Sequence, residues 1–154
     1  MTGLFRFLQI FSLGTWLGGI IFLSFVLAPA AFGLLSSRDQ AGILVGFSLG
    51  RLHVIGMIAG LVYLLATIVL AKSASALARP AAVIVVLMVL LTAASNWGVS
   101  PRLRALRQQM VSVDATPPEN PLRMQFDRLH QLSVRLEGAV LLLGLAALYL
   151  TARQ

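Results

Sequence analysis

The chain predicts an all-α protein, a four-transmembrane-helix bundle built from two helical hairpin repeats in parallel orientation. Three observations carry that expectation. Of its 154 residues 58% are hydrophobic and only 11% charged, more apolar surface than a soluble domain of this size can hide. The apolar residues gather into four continuous runs, near or above the ~20 residues that cross a bilayer as helix, without the alternation a membrane strand needs. The tripeptide Arg-Leu-His occurs twice, as Arg51-Leu52-His53 and Arg128-Leu129-His130, near the starts of the second and fourth runs, and holds both histidines of the chain.

The first run, Phe7–Ala28, exceeds the ~7–15 residues of a signal core and is read as a retained helix over about residues 5–30. Pro29 is expected to close it, because proline lacks the N–H that continues a helix. The second helix spans about 42–72 around the run Val54–Ala71. The third, about 80–100, lies between Pro80 and Pro101, and the fourth, about 124–153, ends in Gly138–Ala152. All four form one domain, 1–154. Between the third and fourth, Arg102-Leu-Arg-Ala-Leu-Arg107 reads as a short basic helix on the membrane surface. Asp114–Pro121, with Pro117, Pro118 and Pro121, reads as irregular chain. Glycines four apart (Gly14/Gly18, Gly42/Gly46/Gly50, Gly56/Gly60) mark faces where helices pack within the bundle or against a second copy or another membrane protein.

Four crossings place both termini at one end of the bundle, here end A, with the Lys72–Pro80 link. End B holds the other two links. The formal charge of +7 comes from arginines that flank apolar spans, so the bilayer and its headgroups are the expected partner and nucleic acid is not. End B carries Arg38, Arg102, Arg104, Arg107, Arg123 and Arg128, against Arg6, Lys72, Arg79 and Arg153 at end A. The positive-inside rule therefore puts end B in the cytoplasm and the termini outside, in the cell (inner) membrane. The chain contains no cysteine, which excludes disulfides and thiolate metal sites.

Polar residues converge at one depth near end B. His53 lies 19 residues before Lys72 and His130 lies 23 before Arg153, about 28 and 34 Å of helix respectively. Arg51, Ser95, Asn96, Trp97, Ser133, Arg135 and Glu137 fall close to the same level. Such groups are costly in a membrane and turn towards the bundle interior. His130, Ser133 and Glu137 share a helix face, whereas Arg51 and His53 are about 200° apart. The expected ligand-binding set is His53, Asn96, His130, Ser133 and Glu137, with Arg51 or Arg135 as the charge partner of Glu137. Two facing imidazoles, His53 and His130, also suit a transition metal or the iron of haem b. Met57, one turn from His53, reads as core filling.

These residues resemble those of the membrane family called domain of unknown function 4149, which includes transmembrane protein 205. The likeness rests on Phe25-Val26-Leu27-Ala28-Pro29, His53, Asn96, Pro101-Arg102, and Leu122-Arg123-x-x-Phe126-x-x-x-His130-x-Leu132-Ser133. Glu137 stands where that family usually has asparagine. The resemblance implies a four-helix multi-pass fold and no established activity; more distant analogies are copper-resistance D-type proteins and the four-helix bacterial protoporphyrinogen oxidase. The residues therefore point first to binding or transport of a small ligand or ion at the polar cluster. The alternatives are a haem- or porphyrin-dependent redox protein and a structural or assembly subunit. No serine has the context of a hydrolase nucleophile, so an enzyme of that class is not expected.

Overall fold

The computed structural model describes residues 2–153. Four rods, each long and apolar enough to cross a membrane, make up the protein: α1 (Thr2–Leu34), α2 (Arg38–Ala71), α3 (Pro80–Gln109) and α4 (Pro121–Ala152). No strand is present among the described residues. Each rod packs on the next, and α4 closes the ring against α1, which leaves α2 and α4 diagonally opposite. The protein is a multi-pass membrane protein. Its outer surface bears exposed Phe7, Phe11, Phe22, Leu61, Leu65, Leu90 and Leu142, side chains that lipid tolerates and water does not.

Local chemistry sets the ends. The Ser37 hydroxyl accepts from Gln40 N at 3.4 Å to cap α2, and Asn120 Oδ1 accepts from Leu122 N at 2.9 Å to cap α4, each serving an N–H that has no partner within its helix. After α2, Lys72 turns the chain in the left-handed region at φ 52°. A short 3-10 turn, Ala74–Ala78, then leads into Pro80.

Pro29 and Pro101 do not end their helices, contrary to the expectation from sequence. Each is preceded by a π turn, Leu23–Leu27 in α1 and Ser95–Val99 in α3, after which α-helix resumes to Leu34 and Gln109. A proline ring collides with the carbonyl four residues before it and offers no N–H; the wider turn absorbs both defects within the rod. As a consequence, Arg102–Arg107 is the last part of α3 and no separate surface helix. Leu103 and Leu106 pack there with Met110, Val113, Leu122, Phe126 and Leu129 in a small second core at end B.

The main core is built on Trp16, 1% exposed, together with Leu13, Ile20, Tyr63, Val85, Met88 and Val140. Gly56 and Gly60 let α2 approach the indole, and Gly144 admits Leu17 and Met88. The other glycine sets do not line helix contacts inside the bundle. A side chain at Gly14, Gly18, Gly46 or Gly50 would meet nothing within 4 Å, and Gly42 leaves room for the Arg107 guanidinium instead of a helix.

Asp39 ties the α3–α4 loop to α2. Its carboxylate accepts from Val113 N at 3.1 Å and Arg107 Nη1 at 3.3 Å, and also from the Ser112 hydroxyl. The Arg107 guanidinium lies over the Phe126 ring at 5.3 Å. Asp39→Ala removes three acceptor contacts at once and is expected to loosen this loop by about 1–3 kcal/mol. Limited proteolysis should then cut within residues 110–120 faster than in the parent, while the transmembrane rods stay protected.

Candidate functional site

The register of the rods follows from their close approaches. Gly60 faces Val89 and Trp16, and Gly144 faces Leu17 and Met88. Seven residues further towards end B, about two helical turns, these positions lead to His53 on α2, Asn96 on α3, Glu137 on α4 and Ser24 on α1. Both π turns sit at this level, so the bundle is locally irregular where its polar residues meet.

Here His53 Nε2 and Glu137 Oε2 are 3.2 Å apart. The contact joins the two diagonal helices, so it crosses the middle of the bundle. The histidine side chain is 1% exposed and that of the glutamate 12%. With Glu137 as acceptor, the neutral imidazole carries its proton on Nε2 and presents a bare lone pair at Nδ1. Among the described residues, His53 Nδ1, Thr92 Oγ1 and Ser95 Oγ are buried without a hydrogen-bond partner. Thr92 and Ser95 are three residues apart and so share one face of α3. Each unpaired group forgoes about 1–3 kcal/mol of hydration, which a polar guest with donors and acceptors can restore.

The other expected members divide. Asn96 is half-buried at the same level and Ser133 is buried. His130 is exposed and its ring lies parallel to that of Phe126, 6.2 Å between centroids. It does not join His53, whose Nε2 is already engaged by Glu137. The fold therefore does not bring the two imidazoles together as a pair of axial or metal ligands. Among the described residues no group of three or more histidine, cysteine or carboxylate side chains is arranged to hold a metal ion. The arginines expected to pair with Glu137 also stay outside. Arg51 is exposed with its guanidinium over Phe47 at 5.2 Å, and Arg135 is exposed. With Trp97, 70% exposed, they form an outer ring near the level of the buried pair, as side chains that snorkel to a membrane interface do.

A second polar network near end A was not anticipated. Gln9 Nε2 donates to Thr67 Oγ1 at 2.7 Å, and Thr67 donates to Tyr63 O at 2.9 Å. Tyr63 Oη and Thr151 Oγ1 are 2.7 Å apart, again across the α2–α4 diagonal, and Thr151 donates to Ala147 O. Neutral residues in apolar runs carry no charge signal; the available hint was that Gln9, Thr67 and Thr151 all lie towards end A.

Comparison with known proteins adds one match. No curated protein and no solved structure matches the chain. One family model, described as a domain of unknown function (DUF4149), covers residues 11–112. That range includes α2, all but the first turns of α1, all of α3, and with them His53, Thr92, Ser95 and Asn96. It stops before α4, so the Leu122–Ser133 stretch and Glu137 fall outside it. The match spans well over half of the sequence, and the chain belongs to the DUF4149 family.

Proposed function

We propose that this protein binds a small polar ligand inside the membrane bundle, at the level of the His53–Glu137 pair, as a binding or transport protein. The observation that carries the reading is the buried cross-bundle pair together with His53 Nδ1, Thr92 Oγ1 and Ser95 Oγ, which are buried without a hydrogen-bond partner. In this reading His53 accepts a hydrogen bond from the ligand through Nδ1, Glu137 holds the ring and polarises it, and the two hydroxyls complete the contact. Asn96 and Ser133 border the site. The π turns of α1 and α3, each just before a proline, supply irregular backbone at the same depth, as π turns often do at functional sites; their recurrence also supports the hairpin repeat. The six arginines at end B support a cytoplasmic location for that end, with both termini outside the cell membrane.

The test is to release bound small molecules by denaturing protein purified in mild detergent and to identify them by mass spectrometry. The parent and a Thr92→Val/Ser95→Ala variant are compared at equal protein. A compound present in near-stoichiometric amount in the parent and depleted about tenfold or more in the variant is the expected result, since two lost hydrogen bonds cost about 1–3 kcal/mol. Equal recovery from both proteins refutes the site.

A further inference from the structure

End A contains a cavity, away from the His53 level, of about 650 Å³ and lined by Arg6, Gln9, Thr67, Arg79 and Thr151 with apolar Ile10, Leu70 and Pro80. The cavity falls within the usual range of small-molecule sites, about 300–1,000 Å³. Its floor is rigid and polar: Gln9, Thr67 and Thr151 are all buried and joined by the hydrogen bonds described above. Its rim carries two guanidinium groups on exposed arginines. Among the described residues neither Arg6 nor Arg79 forms an ion pair with a carboxylate.

The distribution of acids explains why. All five acidic side chains, Asp39, Asp114, Glu119, Asp127 and Glu137, lie in the segments that build end B and the middle of the bundle. None lies within the turns that form end A, where Arg6, Lys72, Arg79 and Arg153 gather. Arg153 is occupied with Tyr149, donating to its hydroxyl at 3.0 Å. No side-chain carboxylate of the chain is placed at end A to balance Arg6 and Arg79. A planar guanidinium pairs in bidentate fashion with phosphate. The apolar lining suits an attached glycerol or acyl segment at the membrane boundary.

We infer that the end A cavity is a binding site for a phosphate group with uncompensated negative charge, gripped by Arg6 and Arg79 over the Gln9–Thr67–Thr151 floor. The phosphate belongs to an anionic phospholipid headgroup or arrives free in solution; both present the same chemistry. This site stands independently of the ligand proposed at His53.

The full chain is placed in nanodiscs of phosphatidylcholine with or without phosphatidylglycerol, and retained lipid is counted by native mass spectrometry. In parallel, inorganic phosphate is titrated against the protein in neutral detergent and its thermal midpoint followed. Arg6→Gln/Arg79→Gln is compared with the parent and with Arg102→Gln/Arg104→Gln, which loses equal charge at end B. Preferential retention of phosphatidylglycerol, reduced at least about tenfold in the end A variant and unchanged in the end B variant, assigns a lipid headgroup. Protection by inorganic phosphate with the same variant pattern assigns the free anion. Equal retention of both lipids without phosphate protection, or equal losses in both variants, overturns the proposal. All these arginines are surface residues, so the variants retain the fold.

Discussion

Gly56→Ala is expected to destabilise the bundle by about 1–3 kcal/mol, although alanine favours helix over glycine by up to about 1 kcal/mol. The added methyl group would collide with Trp16 Nε1 and stand 2.5 Å from Cε2 and 2.8 Å from Cδ1. The indole cannot retreat, because it is almost wholly buried among Leu13, Ile20 and Tyr63. Gly60→Ala meets Val89 Cγ2 at 2.5 Å and Trp16 Cζ3 at 3.1 Å; it should destabilise less, since a valine methyl yields more easily than a ring. Gly14→Ala meets nothing within 4 Å, so the helix preference acts alone and a gain of up to about 1 kcal/mol follows. Thermal midpoints in one detergent order these variants. A second check is rescue: Trp16→Phe in the Gly56→Ala background should recover part of the loss. Equal responses at Gly56 and Gly14 would mean that α2 does not lean on Trp16.

The same glycines show which part of the architecture was legible. Four apolar runs specify four spans because the bilayer demands length and hydropathy, both local properties of sequence. Which glycine face is inside is not local. Gly14/Gly18 and Gly56/Gly60 have the same spacing, but only the second pair has a tryptophan opposite it. The prolines misled for a similar reason: Pro29 and Pro101 signal an α-helix end, whereas a π turn lets the rod continue.

At the candidate site, His53 and Glu137 were legible as costly inward groups, but their pairing was not. Depth can be counted along a helix. That α2 and α4 stand diagonally across the bundle depends on the order of all four rods. His130 is instructive. It shares the face of Glu137 by helical angle, yet it sits two turns nearer end B. There α4 packs on the last part of α3 through Phe126 and Leu129, and His130 is exposed. The face that is covered changes along the rod. Gln9, Thr67 and Thr151 escaped notice because a neutral polar residue in an apolar run is far less conspicuous than a charge.

The His53–Glu137 pair should behave as a coupled unit whose removal in halves costs more than its removal entire. Glu137→Leu strips Nε2 of its acceptor and leaves a fully buried ring with no partner on either nitrogen, an expected loss of about 1–3 kcal/mol. His53→Phe leaves a largely buried carboxylate without its donor, and an unpaired charged group costs more than the roughly 1–3 kcal/mol of a neutral one. The His53→Phe/Glu137→Leu protein contains neither orphan. It is expected to regain most of the loss and to equal or exceed the parent, as apolar replacements of buried pairs often do. A double-mutant cycle on unfolding in mixed micelles should therefore return a coupling energy close to the sum of the two single losses. Additive single effects would show that the 3.2 Å contact does not form in the micelle. The double variant also separates stability from function. If it matches the parent in stability but no longer releases the small molecule recovered from the parent, the pair serves binding and the bundle does not need it to fold. If it retains that molecule, the ligand site lies elsewhere than at His53. Burial alone makes a poor reason for a bundle of apolar helices to keep a histidine and a glutamate in its middle, because hydrocarbon side chains would fill that space at no desolvation cost.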